Sequence, residues 1–170
     1  MLFWRLGAIT FLFRWIFRDP IVDMRFLVLG VVLPDVIDLV AATVIGAVDA
    51  RLWAHTLLVP TVLAIVILFT TRRGRRRRAW MALVVAWMLH LLVDQMWLHE
   101  DVLFWPVFGL DIVEVSAGGF WAAAWRRALA DPWRWVLEGV GLAYLWWLFV
   151  ASGLRDKAAR ERLVATGRLG

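Results

Sequence analysis

Four stretches of this chain stay apolar for about twenty residues each, the length a helix needs to cross the hydrocarbon core of a bilayer. They run from Phe26 to Val48, Leu52 to Thr71, Ala79 to Leu98 and Trp135 to Leu154. Composition agrees, with 63% hydrophobic residues, 19% charged and a mean hydropathy of +0.75. Soluble domains lie nearer 45–50% apolar and about 25% charged, and disordered chains are more polar still. Both classes are excluded. The absence of cysteine removes disulfides, thiolate metal sites and cysteine nucleophiles. The pattern predicts an all-α integral membrane protein forming a single domain over residues 1–170. Its architecture is a four-transmembrane-helix bundle with spans at 26–48, 52–71, 79–98 and 135–154. An N-terminal interfacial helix (1–20), an outer-surface lid (99–134) and a cytoplasmic tail (155–170) complete it.

Arginine sets the orientation. The segment from Arg72 to Arg78 holds six arginines in seven positions, and short loops that basic stay in the cytoplasm. Fifteen basic residues lie on that side if both termini share it, against Arg51, Arg126, Arg127 and Arg134 on the other. Both termini are therefore expected in the cytoplasm. Arg5, Arg14 and Arg18 interrupt the first apolar stretch, which argues against a cleaved signal peptide and for a helix lying in the interface over Leu2 to Phe17. Residues 99–134 are apolar but broken by Trp105-Pro106, Gly109 and Gly118-Gly119, with helical character from Trp121 to Ala130. Trp53, Trp80, Trp97, Trp133 and Trp135 fall at span ends, as an aromatic belt requires. A net charge of +5 carried at the ends of apolar runs points to anionic lipid headgroups at the Arg72–Arg78 loop rather than to nucleic acid.

The informative residues are the ionisable ones inside the spans. An aspartate at a helix centre costs on the order of 2.5–3.5 kcal/mol on insertion, so Asp35 and Asp38 together cost about 5–7. Such residues face the bundle interior and meet a partner, a metal or water. Asp35 and Asp38 share a helix face, as do His90 and Asp94, and His55 lies close to Trp53 on the second span. Carboxylate and imidazole suit Zn, Mn or Fe, and helix bundles build metal sites from facing helices in this way. Singly, an aspartate could instead pair with an arginine and a histidine with a backbone carbonyl. At 1.5 Å per residue, Asp94 lies roughly 5 Å and His90 roughly 10 Å below Trp97, while Asp38 on a straight span lies roughly 15 Å deep. A break near Pro34 to Asp38 is expected to lift the carboxylates toward His90.

These residues also carry a resemblance. Gly30-Val-Val-Leu-Pro-Asp35-Val-Ile-Asp38, then His55-Thr56-Leu57-Leu58, then His90-Leu-Leu-Val-Asp94-Gln-Met-Trp97 with Leu103-Phe-Trp-Pro106 and Gly109, stand in that order. The set resembles the motifs of the YdjM-like, LexA-regulated inner-membrane metal-dependent hydrolases and covers roughly residues 23 to 110. The resemblance implies a membrane-embedded hydrolase holding one or two divalent ions through Asp35, Asp38, His55, His90 and Asp94. It places the chain in the inner (cytoplasmic) membrane of a bacterium or archaeon. Arg51, four residues before His55, matches the family's Arg-x-x-x-His approach. The further N-terminal histidine of many members is missing, which implies one metal fewer or a substitution by Asp23.

The enzymatic expectation is a hydrolase working at the outer leaflet through a metal-activated water, on a lipid phosphate or another amphipathic substrate. His55, His90 and Asp94 are the expected primary ligands, Asp35 and Asp38 the bridging ligand and general base, and Arg51 a hold on an anionic headgroup. Thr56 is expected to satisfy its own backbone, and Glu138 to sit at the outer interface. The alternative is a non-catalytic membrane subunit of a larger complex, binding a pigment or a partner through its histidines; that reading gives the aspartates no task.

Overall fold

Asp23 opens the longest helix by accepting a hydrogen bond from the Arg25 amide, the side-chain cap that a helix start favours. The computed structural model describes residues 1–18, 22–47, 49–114 and 119–169. Val48, Gly118 and residues 19–20, to which the expected boundaries extend, lie outside the described residues. Helix α1 runs Leu2–Phe17, α2 Met24–Ile45, α3 Leu58–Thr70, α4 Arg75–Val93, α5 Glu100–Leu103, α6 Gly119–Ala130, α7 Pro132–Ala151 and α8 Lys157–Thr166. No strand occurs among the described residues, so the all-α expectation holds. Among the described helices one, Met24–Ile45, is both long and apolar enough to cross a membrane. The third helix is apolar but shorter.

Three expectations are corrected. The first concerns Pro34, which lies inside an unbroken α2; no break lifts Asp35 and Asp38. The chain after α2 descends instead. Residues 52–57 are not the start of a span but an irregular segment around a 3-10 turn at Trp53–His55, and α3 begins only at Leu58. Hydropathy does not record conformation, and this apolar segment buries Leu52, Ala54, His55 and Thr56 without forming an α-helix. The fourth helix likewise ends at Val93, where Gln95 takes a left-handed conformation (φ 56°).

The second correction concerns α1, which packs into the bundle rather than lying apart. Gly7, Ile9, Thr10 and Phe13 are buried, and Ile9 and Phe13 share a core with Met24, Leu27, Val31, Ala82 and Ala86. Gly7 and Gly141 meet backbone to backbone between α1 and α7, and Phe11 packs edge-on against Tyr144 at 5.7 Å. The third follows from it and concerns the expectation that both termini lie on one side. Because α1 runs antiparallel to α2 and parallel to α7, the start of α1 and the end of α8 lie at opposite ends of the bundle. Arg5 and Asp94 meet at one end; the Arg72–Arg78 loop, Arg25 and Arg168 gather at the other.

Gly30 sets how closely α2 and α4 approach. A Cβ there would run into the Leu83 carbonyl and lie 2.9 Å from the Ala86 methyl, so a larger residue would force the helices apart. That close crossing brings α2 within hydrogen-bonding reach of His90.

Candidate metal centre

His90 lies near the end of α4, fully buried. Its Nδ1 lies 2.8 Å from the Val31 carbonyl oxygen of α2. A carbonyl only accepts, so Nδ1 carries the proton and Nε2 presents a lone pair. His55 arrives on the irregular segment after α2. That segment is held by Asp38, fully buried, which accepts hydrogen bonds from the amides of Leu52 (2.7 Å), Ala54 (2.9 Å) and His55 (3.2 Å). The same carboxylate lies 2.7 Å from Nδ1 of His55. With both Asp38 oxygens already accepting from amides, Nδ1 of His55 is the donor to this carboxylate, and its Nε2 presents a lone pair as that of His90 does. Trp87 steadies the segment by donating from Nε1 to the Ala54 carbonyl (2.8 Å), and Thr56 donates to Trp53, as expected.

The two Nε2 atoms face one another at 3.3 Å. Asp35 Oδ1 lies 3.5 Å from that of His55 and 3.6 Å from that of His90. Two lone pairs and a carboxylate oxygen thus converge on one point, an arrangement that only a cation makes favourable. A proton shared between the imidazoles would serve, and so would a metal ion. The spacing can be tested against the second. Ligands at about 2.05 Å from a tetrahedral ion stand about 3.3 Å apart, close to the three separations found. Each imidazole is also backed through Nδ1 by a carboxylate or a carbonyl, the arrangement in which metal-binding histidines are held. Asp35, His55 and His90 fit a divalent ion as a three-ligand set; no other group of three or more such side chains converges in this way among the described residues.

The remaining expected ligands are placed differently. Asp38 is behind His55 with its oxygens engaged, so it orients a ligand instead of serving as one or as a general base. Asp94 is held by two guanidiniums: Arg5 through Nη2, and Arg51 through Nε at 2.8 Å. Arg51 also approaches Asp49 at 3.4 Å, so its contacts in this structure are to carboxylates. Arg5 in addition grips both oxygens of Asp35 from Nη1, at 2.6 and 2.5 Å. Counting outward from the histidines, charges alternate from Asp35 to Arg5, Asp94, Arg51 and Asp49. With neutral imidazoles, the carboxylates of Asp35, Asp38, Asp94 and Asp49 outnumber the guanidiniums of Arg5 and Arg51 by two.

Arg5 is the site residue that sequence reasoning missed. Its position near the start of an arginine-bearing apolar helix read as a headgroup anchor. The available signal was a surplus of intramembrane aspartates over nearby cations. Asp23, the substitute for a missing histidine, is at the far end of the bundle, paired with Arg25 at 2.7 Å. Glu138 on α7 accepts from the Phe3 and Trp4 amides at 2.7 and 3.2 Å and so caps α1, holding Arg5 in place. Glu100, Asp101, Asp111 and Glu114 are exposed.

No family model, curated protein or solved structure matches this chain. The functional argument therefore rests on the site itself.

Proposed function

We propose that this protein is a membrane-embedded, metal-dependent hydrolase with Asp35, His55 and His90 as its metal ligands. The observation that carries the reading is the pair of Nε2 lone pairs, locked into place from behind and facing each other and Asp35. Three protein ligands leave a tetrahedral ion one open position, the arrangement of catalytic rather than structural sites. When bound, such an ion supplies Lewis acidity and acidifies water; zinc suits the spacing best. Asp38 fixes the tautomer and angle of His55, and Val31 does the same for His90. Arg5 and Arg51 place two guanidiniums beside the ligands, where they would hold the oxygens of an anionic substrate. Asp35 is 30% exposed while the histidines are sealed, so substrate would approach from its side. The ordered motifs shared with the YdjM-like hydrolases support the same chemistry.

Embedding in the membrane is supported by the exterior. Phe69 (88% exposed), Val44 (79%) and Trp15 (63%) belong to a surface too apolar for water. In this reading the lengths of α2, α3, α4 and α7 cross the bilayer, with α1 alongside, in the cytoplasmic membrane of a bacterium or archaeon. The arginine-rich end faces the cytoplasm and anionic headgroups, and the metal centre lies toward the outer leaflet. An amphipathic substrate such as a lipid phosphate follows from that location. A pigment-binding subunit is disfavoured, because both imidazoles are buried with their Nε2 atoms too close for a macrocycle to enter.

The deciding experiment is metal content by mass spectrometry on protein extracted from membranes. Near-stoichiometric zinc, manganese or iron is expected in the parent, less than about a tenth of it in His55→Ala or His90→Ala, and parental content in Asp94→Asn. Metal-free protein after reconstitution with each ion would sink the reading. Loss of metal in Asp94→Asn would restore Asp94 as a ligand.

A further inference from the structure

Beside the charged network of the candidate metal centre lies a cavity of about 550 Å³ with no charged side chain in its described lining. Trp4, Ala8 and Leu12 line it from α1, Leu92 and Gln95 from around the end of α4, and Tyr144 from α7. The α1 residues recur every four positions, so one face of that helix supplies them. Two backbone features make the space. Helices α1 and α7 touch through Gly7 and Gly141, where a Cβ on Gly7 would lie 2.8 Å from the Gly141 carbonyl oxygen, and Ala8 beside that contact fills little. Helix α4 stops at Val93, and the chain turns aside at Gln95, so no further turn of α4 covers this face of α1. The two ends of the cavity differ. Trp4 and Gln95 are the chain neighbours of Arg5 and Asp94, whose ion pair adjoins Asp35. Away from that network, Phe11 and Tyr144 line the cavity and pack edge-on at 5.7 Å.

We propose that this cavity holds one acyl chain of a lipid whose phosphate headgroup lies at the candidate metal centre. The proposal rests on the reading of the protein as a membrane-embedded metal-dependent hydrolase, and it narrows the substrate to a lipid phosphate with a chain long enough to fill the recess. Charge is laid out here as it is in such a molecule. Arg5 and Arg51 stand together on Asp94 at one end, and the recess that leads away from them is uncharged. Length agrees. Trp4 to Leu12 is a rise of about 12 Å, most of the about 15 Å that half a hydrocarbon core spans. The volume falls within the range of about 300–1,000 Å³ usual for small-molecule sites. An apolar recess of this kind offers water few hydrogen bonds and takes up apolar ligands instead.

The test uses the full chain in phosphatidylcholine vesicles that carry a small share of phosphatidic acid with a photoactivatable diazirine midway along one chain. Labelled residues are read by mass spectrometry, and recovery of the protein with the vesicles checks the membrane reading separately. Label on Phe11, Leu12 and Tyr144 is expected to saturate as the probe share rises, and to fall by more than half when unlabelled phosphatidic acid is added in excess. Label on Phe69, exposed on α3, should rise in proportion to the probe and ignore the competitor. Leu92→Trp crowds the cavity from a half-exposed position, and Ala8→Leu crowds it from α1. Each should cut the saturable label by more than half and leave that of Phe69 unchanged. A thermal melt equal to the parent's shows that a variant is folded, and either variant alone suffices. Metal content of the same samples keeps the two readings apart. Saturable, competed label in metal-free protein supports the acyl site and leaves the hydrolase reading to fall alone. Label on Phe11, Leu12 and Tyr144 that rises in step with Phe69, or saturable label that the folded variants leave intact, overturns the proposal even in metal-loaded protein.

Discussion

The two ends of this bundle handle charge in opposite ways. At the candidate metal centre the carboxylates are answered from within the bundle: Asp35 by Arg5, Asp94 by Arg5 and Arg51, Asp38 by three amides and an imidazole. At the other end, Arg25, Arg75, Arg78 and Arg168 line an open cavity, and the pair of Asp23 with Arg25 holds the tail in place. The difference follows from surroundings. A charge sealed among helices must find its partner there or cost several kcal/mol. One at an open end is screened and can be satisfied from outside. Internal pairing buries chemistry, and external pairing anchors a surface.

The comparison can be broken most severely at Asp38. Asp38→Ala strands three buried amides and frees His55 to turn, so unfolding should show a loss of about 3–5 kcal/mol. Metal retention should fall with it by about 10–100-fold. Binding of anionic vesicles by the arginine-rich end should stay as it was wherever the variant is still folded. Acid separates the ends without mutation. Metal binding needs both imidazoles unprotonated, so occupancy should be complete above the ordinary histidine range near about 6.5 and be lost as pH falls through it. A metal content flat from pH 8 to about 4 would contradict this assignment of ligands.

A smaller effect is expected at Glu138. Glu138→Gln weakens the cap on α1 and removes a charge from a helix start, worth about 1 kcal/mol. Thermal melts should register it, with metal content preserved. The mildest intervention is salt. Raising ionic strength from about 0.1 to about 1 M shortens the screening length from about 10 to about 3 Å. Binding of anionic vesicles by the arginine-rich end should weaken, while metal content holds.

Asp35, His55 and His90, the three convergent side chains, could all be named from the sequence, but little of how they are reached could be. Asp35 and His90 could be placed on facing helices from spacing alone, because regular helices turn sequence distance into direction. His55 could be named but not positioned, since the segment bearing it is apolar and irregular at once. The depth conflict between Asp38 and His55 was visible, and it was resolved by the loop descending, not by Pro34 breaking its helix. Asp38 and Asp94 share the chemistry of ligands. What demotes them is company: backbone amides fourteen to seventeen residues on in one case, Arg5 and Arg51 in the other. Arg5 itself was legible only as a surplus of negative charge awaiting a cation. Helix α1 was bounded correctly and misplaced, because periodicity does not say which neighbour a helix will choose.

The spacing of these partners along the chain bears on how the protein is made. Arg5 reaches Asp35 across 30 residues and Asp94 across 89, and His90 meets His55 across 35. As the ribosome delivers α2, the Arg5 that answers Asp35 has already been made, whereas the amides and the imidazole that answer Asp38 come fourteen to seventeen residues later. On the membrane reading, the insertion cost of Asp38, about 2.5–3.5 kcal/mol, is relieved only as residues 52–55 arrive. On that reading α2 cannot settle by itself; it waits, at the interface or in the care of the insertion machinery, for a segment not yet synthesised.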